Sequence, residues 1–158
     1  MKKIYIASDH AGFELKSALS AFLTEHGYEI TDLGPATYDE GDDYPDTIGP
    51  LAREVGDDTT RVGIVIGGSG QGEAMVCNRV KGVRAAVYYG PAPARATDGQ
   101  GHPLDILKLS REHNNANVLS LGARFMTQEE AKEAALFWLE AGFTNEERHA
   151  RRIAKLDN

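Results

Sequence analysis

At 158 residues with a formal charge of −7, the chain is long enough for one domain whose sheet is covered on both faces. The acidic balance argues against a general nucleic-acid binder, and no apolar run approaches the ~20 residues that a membrane-spanning helix needs. One cysteine, Cys77, leaves no internal disulfide and no cysteine cage for a metal, so the expectation is a soluble, cytoplasmic protein.

In chain order, residues 2–8 read as a first strand, followed by the turn Asp9-His10-Ala11-Gly12. Residues 13–26 carry Leu15, Leu19, Phe22 and Leu23 at helical spacing and stop at Gly27. Residues 28–33 read as a second strand. A polar loop over 34–44 then leads to Pro45, which suits the first turn of a helix reaching about Val55. Residues 61–66 are a third strand, and a helix over about 70–80 stands behind a glycine-rich turn. Strands at 83–88 and 117–121 complete a set of five. Thr127, with Glu130 three residues on, predicts a capped helix to about Ala141, and a last helix covers about 145–156. The segment 91–108, with three prolines and two glycines, reads as irregular. This alternation predicts a single domain over residues 1–158: a three-layer α/β/α, Rossmann-like fold around a five-stranded parallel sheet. Ligands of such folds gather at the carboxyl ends of the strands, which puts Asp9-His10 and the glycine-rich turn on one rim.

That turn, Gly67-Gly68-Ser69-Gly70-Gln71-Gly72-Glu73, follows the apolar run Val62-Gly63-Ile64-Val65-Ile66. Backbone N–H groups of such a turn can converge on one negatively charged atom. A nucleotide-triphosphate loop needs Lys and Ser/Thr after its second glycine, whereas Gly72 is followed by Glu73 and Ala74, and Glu73 would repel phosphates. A dinucleotide fingerprint read from Gly68 ends on Glu73 instead of glycine, and no acid stands near the expected ribose position, Asp98 being the nearest. Donors with a carboxylate beside them suit a reaction in which the acid takes a proton from carbon and the backbone holds the resulting oxyanion.

Six motifs now stand in order: Asp9-His10-Ala11-Gly12; Asp43-Tyr44-Pro45; the turn from Gly67 to Glu73; Asn78-Arg79-Val80 with Gly82-Val83-Arg84-Ala85; Arg111-Glu112-His113-Asn114-Asn115; and Gly122-Ala123-Arg124. Together they resemble the type B ribose-5-phosphate isomerases and the related galactose-6-phosphate isomerase subunits, over nearly the whole chain except about 91–108. The resemblance implies an aldose–ketose isomerase of a small sugar phosphate, with ribose 5-phosphate to ribulose 5-phosphate as the expected reaction, working through a cis-enediolate with no metal and no cofactor. Some members use a cysteine as base where this chain has Gly67; others use a glutamate at the position of Glu73, and this chain is similar to those. Cys77 does not match the catalytic cysteine and reads as an ordinary, half-buried thiol.

The resemblance assigns Glu73 as the base and His113 as the ring-opening acid. Substrate contacts fall to Asp9, His10, Gly68, Ser69, Gly70, Gln71, Gly72, Asn114, Arg124, Arg148 and Arg152, with Tyr44 and His149 as further candidates. Plainer readings stand beside these. An acid in a first helical turn complements the helix dipole, Asp9 suits an N-cap, and a cationic last helix suits a solvated face. Arg148 and Arg152 are four apart and would repel unless an anion lies between them, while Arg151 is better read as solvated. The resemblance further implies a homodimer with shared active sites as the least assembly, with a tetramer open, and no nucleic-acid or membrane partner. Between Tyr89 and Leu109 the chain is about a dozen residues longer than the family pattern. This stretch is either a wall or lid that resizes the sugar pocket, or a surface excursion. The same chemistry on a tetrose, allose or galactose phosphate, or a non-catalytic sugar-phosphate-binding protein or subunit, are the rival readings.

Overall fold

Alternation along three central strands decides the architecture. The computed structural model describes residues 2–157. In it β1 (Lys3–Ser8), β3 (Val62–Gly67) and β5 (Val118–Gly122) are buried almost throughout. Ile4, Ile6, Ile64, Ile66, Leu119 and Leu121 point to one core and Tyr5, Ala7, Val65 and Val118 to another. Strands apolar on both faces belong in the middle of a parallel sheet, where helices cover each side. The shorter β2 (Glu29–Asp32) and β4 (Ala85–Tyr88) are the edges, and the order β2-β1-β3-β5-β4 is parallel at every pairing.

The first core is closed by Leu15, Leu19 and Leu23 of α1 (Phe13–Glu25), Leu107 of α4 (Ile106–Glu112) and Ala131, Ala135 and Trp138 of α5 (Gln128–Glu140). The second is closed by Ile48, Leu51 and Val55 of α2 (Tyr44–Asp57) and Cys77 of α3 (Gln71–Cys77). Each fully buried leucine or isoleucine contributes about 1.5–3 kcal/mol relative to exposure. The three layers and the five-stranded parallel sheet are as expected, and Thr127 and Glu130 form the predicted capping box. The last helix, α6 (Glu147–Ile153), is shorter than the expected 145–156.

Three local expectations are corrected. Segment 91–108 is not wholly irregular: α4 starts at Ile106, its first turn capped by the Asp105 carboxylate, which accepts from the Lys108 N–H at 2.8 Å. Before it, Thr97 and Pro103 form an antiparallel bridge, with Asp98 N–H donating to the His102 carbonyl at 2.8 Å and Leu104 N–H to the Ala96 carbonyl. This is a small hairpin. The helix behind the glycine turn ends at Cys77, not 80. Cys77 itself is fully buried, not half-buried, and burial pushes its thiol up to about 12, so it is inert at neutral pH.

Strand order reverses direction between β1, whose next neighbour is β2, and β3, whose partner on the other side is β5. Open α/β sheets leave a crevice at such a switch point. The Asp9-His10 turn and the glycine turn flank it.

Candidate functional site

The glycine turn is locked by its neighbours. Gly70 takes a left-handed conformation (φ 72°), which a side chain would strain. Its carbonyl accepts from the buried Ser120 hydroxyl at 2.6 Å. Ala123 N–H donates to the Gly67 carbonyl and Arg124 N–H to the Gly68 carbonyl, while Asp9 N–H donates to the Ile66 carbonyl. The ends of β1, β3 and β5 are therefore tied into one rim. Ser120 and its bond were not singled out in the sequence, where a serine inside a strand gives no signal.

Glu73 lies in the first turn of α3 yet is only 4% exposed. Its carboxyl sits against Gly67, where a β-carbon would collide with it. Burial raises its pKa, opposed by its own backbone N–H and reinforced by the charge of Asp9, a side-chain hydrogen bond with Asp9, and the charge of Asp42. As the plainer reading expected, Glu73 is an acid in a first helical turn, and its side chain is at the same time turned inward.

Asp9 is 7% exposed, and it also caps the short 3-10 turn His10–Gly12, accepting from Gly12 N–H at 2.9 Å. The N-cap reading of this residue holds. His10 Nδ1 is 2.6 Å from Asp42 Oδ1, and this hydrogen bond chiefly raises its pKa; burial and the charge of Arg124 oppose the shift. Arg124 lies over Gly68, 3.2 Å from where its β-carbon would be, and the Tyr44 ring covers Gly72 in the same way. Gln71 is exposed and Ser69 half-exposed, its hydroxyl accepting from Gln71 N–H. Asp42 was missed in the sequence because it stands among other acids of a polar loop, Asp39, Glu40 and Asp43, and no pattern separates it from them.

The other candidates lie elsewhere. His113 is the C-cap of α4, and Asn114 to Asn117 lead directly into the start of β5, whereas Arg124 follows its end. Five residues of strand at roughly 3.3 Å each separate the two groups along the sheet. His113 stacks on His149 of α6, ring centroids 4.2 Å apart and 15° from parallel. His149 is 4% exposed, and burial, then His113, push its pKa down, so the fold favours its neutral form. Asn114 and Arg152 line a cavity of about 200 Å³ with both rings. Arg148 lines a second cavity of about 390 Å³ with His113, Glu112 and Lys108 on one side and Asp98, Gly99 and His102 of the hairpin on the other. Arg148 pairs with Glu146 at 2.9 Å, which offsets the expected repulsion from Arg152, and Arg151 pairs with Glu147 as a surface residue would.

One chain thus carries two groups of candidate residues on opposite rims. Three buried side-chain atoms lack a hydrogen-bond partner among the described residues: Ser8 Oγ and Asp42 Oδ2 at the glycine rim, and His149 Nε2 at the other. Buried polar atoms are nearly always paired, so such gaps are expected where something else binds. No group of three or more His, Cys, Asp or Glu residues among those described is arranged to hold a metal ion.

The sequence pattern of the Ribose/Galactose Isomerase family matches residues 4–156. The chain belongs to this family. It is 36% identical over 151 residues to the ribose-5-phosphate isomerase B of Mycolicibacterium paratuberculosis, covering 96% of this chain and 87% of that one. The probable ribose-5-phosphate isomerase B of Mycoplasma genitalium is 39% identical over 154 residues, covering 97% and 92%. A crystal structure of the Mycoplasma genitalium ribose-5-phosphate isomerase B with bound ribulose-5-phosphate superposes with a TM-score of 0.84 at 38% identity, over 98% of this chain and 93% of that one. The family membership and the fold expected from the six motifs therefore hold.

Proposed function

We propose that this chain is an aldose–ketose isomerase interconverting ribose 5-phosphate and ribulose 5-phosphate, with Glu73 as the base. The observation that carries the reading is the inward-turned, buried Glu73 carboxyl beside four strand-end glycines, in a family whose named relatives are ribose-5-phosphate isomerases. Substrate arrives mostly as a ring, and His113 donates a proton to the ring oxygen as its bond to C1 breaks and the C1 hydroxyl releases its proton to water, leaving the open aldehyde. Glu73 then takes the C2 proton, and the C2–H electron pair moves into the C1–C2 bond while the C1 carbonyl becomes an oxyanion. N–H groups of Gly68, Ser69, Gly70 and Gly72 stabilise that charge. The C2 hydroxyl proton passes to O1, and Glu73 returns its proton to C1, leaving the ketose. A raised pKa makes Glu73 a stronger base wherever it is still ionised.

Asp9 contacts sugar hydroxyls, His10 a hydroxyl or the phosphate, and Arg124, Arg148 and Arg152 the phosphate, whose oxygens suit the guanidinium fork. Because Glu73 and His113 stand on opposite rims, the site is completed by a second copy of the chain. A homodimer with two shared sites follows, and further pairing into a tetramer is compatible. A cytoplasmic location fits a sugar-phosphate substrate.

The hairpin beside His113 and Arg148 favours one second reading, the same chemistry on a sugar phosphate of another length. The deciding experiment measures deuterium incorporation from solvent at C1 or C2 across four-, five- and six-carbon aldose phosphates. Exchange and turnover should be greatest with ribose 5-phosphate. Binding without exchange for every sugar would instead make the chain a sugar-phosphate-binding protein or subunit.

A further inference from the structure

We propose that Asp42 is a positioning residue that holds His10 as a cation, so that His10 and Arg124 form a paired anion contact for the substrate phosphate at the glycine rim. This rests on the isomerase reading and decides between the two roles left open for His10.

The Asp42 side chain is 9% exposed, and among the described residues its carboxylate has one hydrogen-bond partner, His10 Nδ1 at 2.6 Å. A carboxylate withdrawn from water needs compensation by a charge and by hydrogen bonds, and its other oxygen has no hydrogen-bond partner. The imidazolium is the partner that supplies both. With Nδ1 fixed on Asp42, Nε2 carries the remaining N–H of the cation. Tyr38 meets the ring edge-on, centroids 6.5 Å apart, which limits its swing.

The charged groups acting on His10 come from three elements. Asp9 in its own turn and Asp42 from the loop before α2 favour the cation, and Arg124 from the turn after β5 opposes it. Glu73 on α3 feels Asp9 and Asp42 in the same cluster. Without Asp42, the imidazole beside Arg124 would be mostly neutral near neutral pH before any anion binds, since an unperturbed histidine is half-charged only at about pH 6.5. Asp42 thus keeps two cations side by side until an anion replaces their mutual repulsion with attraction.

The test uses inorganic sulfate as the probe, because its charge is constant over the range examined, with binding followed by competition against turnover and by NMR of the histidine rings. In the wild type the His10 ring, assigned by its absence in H10N, should remain an imidazolium well above the ordinary histidine value of about 6.5. Sulfate affinity should differ little between about pH 5.5 and 7.5. In D42N, affinity should fall about tenfold or more at pH 7.5, where the ring is neutral, and recover most of that loss at pH 5.5. KM for ribose 5-phosphate should follow the same pattern, with kcat changed less. A wild-type His10 titrating near 6.5 overturns the proposal whether or not D42N folds. So does an equal sulfate loss at both pH values, or a fall in kcat with KM unchanged. If the wild type turns over no sugar phosphate, the isomerase reading fails, while the NMR and direct sulfate-binding arms still decide the role of Asp42.

Discussion

The Glu73 carboxyl fills the space that a β-carbon on residue 67 would take: a side chain there would overlap its carboxyl carbon and both oxygens. Gly67 is therefore a vacancy for the base. The atoms in the way are the far end of a flexible side chain, so the backbone can survive a substitution while the carboxylate cannot keep its place. G67A should fold normally by circular dichroism and lose about 10²-fold or more in kcat, the cost of misplacing a reacting group by an ångström or so. Activity close to wild type would remove Glu73 from the role of base.

E73Q separates catalysis from stability. Loss of a positioned general base should lower kcat by about 10²–10⁴-fold while KM changes little. The sign of the stability effect is opposite. Folding raises the Glu73 pKa, so its contribution to stability is fully present below the unfolded value and is lost as pH rises through the folded one. At neutral pH the wild type carries a disfavoured buried charge that glutamine lacks. E73Q should accordingly unfold at higher denaturant than the wild type at pH 7–8, with the advantage shrinking toward pH 4. Urea titrations at the two pH values check this, and an advantage independent of pH would mean that the gain is not electrostatic.

Much of this was legible before any coordinates. The apolar run at 62–66 announced a buried strand, residues 117–121 the last of five strands, and Thr127 and Glu130 a capped helix, while the acid closing the glycine turn argued against a nucleotide site. The position of Gly67 was legible too, since the resemblance puts a cysteine there in some members and a glutamate at position 73 in others. The collision adds a physical reason why a side chain at 67 and this placement of Glu73 exclude each other. Hydrogen bonds between residues far apart in the chain were not legible. Asp42 reaches His10 across 32 positions and Ser120 reaches Gly70 across 50, and neither spacing leaves a local pattern. The α4 helix was hidden because its seven residues follow a proline-rich stretch and carry too short an apolar face to show a period.

Mixing inactive variants tests whether the half-sites belong to different copies. E73Q is damaged at the glycine rim and H113A at the opposite one. If each site combines Glu73 of one copy with His113 of the other, a mixed dimer has one doubly damaged site and one intact site. Random reassembly of equal amounts should then restore about a quarter of wild-type activity, since half the dimers are mixed and each has one working site of two. Co-refolding followed by assay with ribose 5-phosphate gives the readout. Activity no higher than the mean of the two variants would place the whole site within one copy.

The hairpin supplies the last prediction. Asp98 closes it, accepting from Gln100 N–H at 2.8 Å and His102 N–H at 2.9 Å, and these backbone hydrogen bonds chiefly hold the carboxyl below its usual range. A loop tied in this way is ordered, and it faces His113 and Arg148 across a cavity of about 390 Å³. If it walls the phosphate side of the sugar pocket, replacing residues 97–103 by a short glycine linker should change relative kcat/KM values across four-, five- and six-carbon phosphates by about tenfold, in favour of longer sugars. One methylene in a pocket is worth about 1–3 kcal/mol, so a shift of that size is what a moved wall produces. Stability should fall little, because the removed side chains are exposed and α4 keeps its own cap at Asp105. Unchanged ratios on every sugar would make the hairpin a surface excursion and leave chain-length selection to the glycine rim.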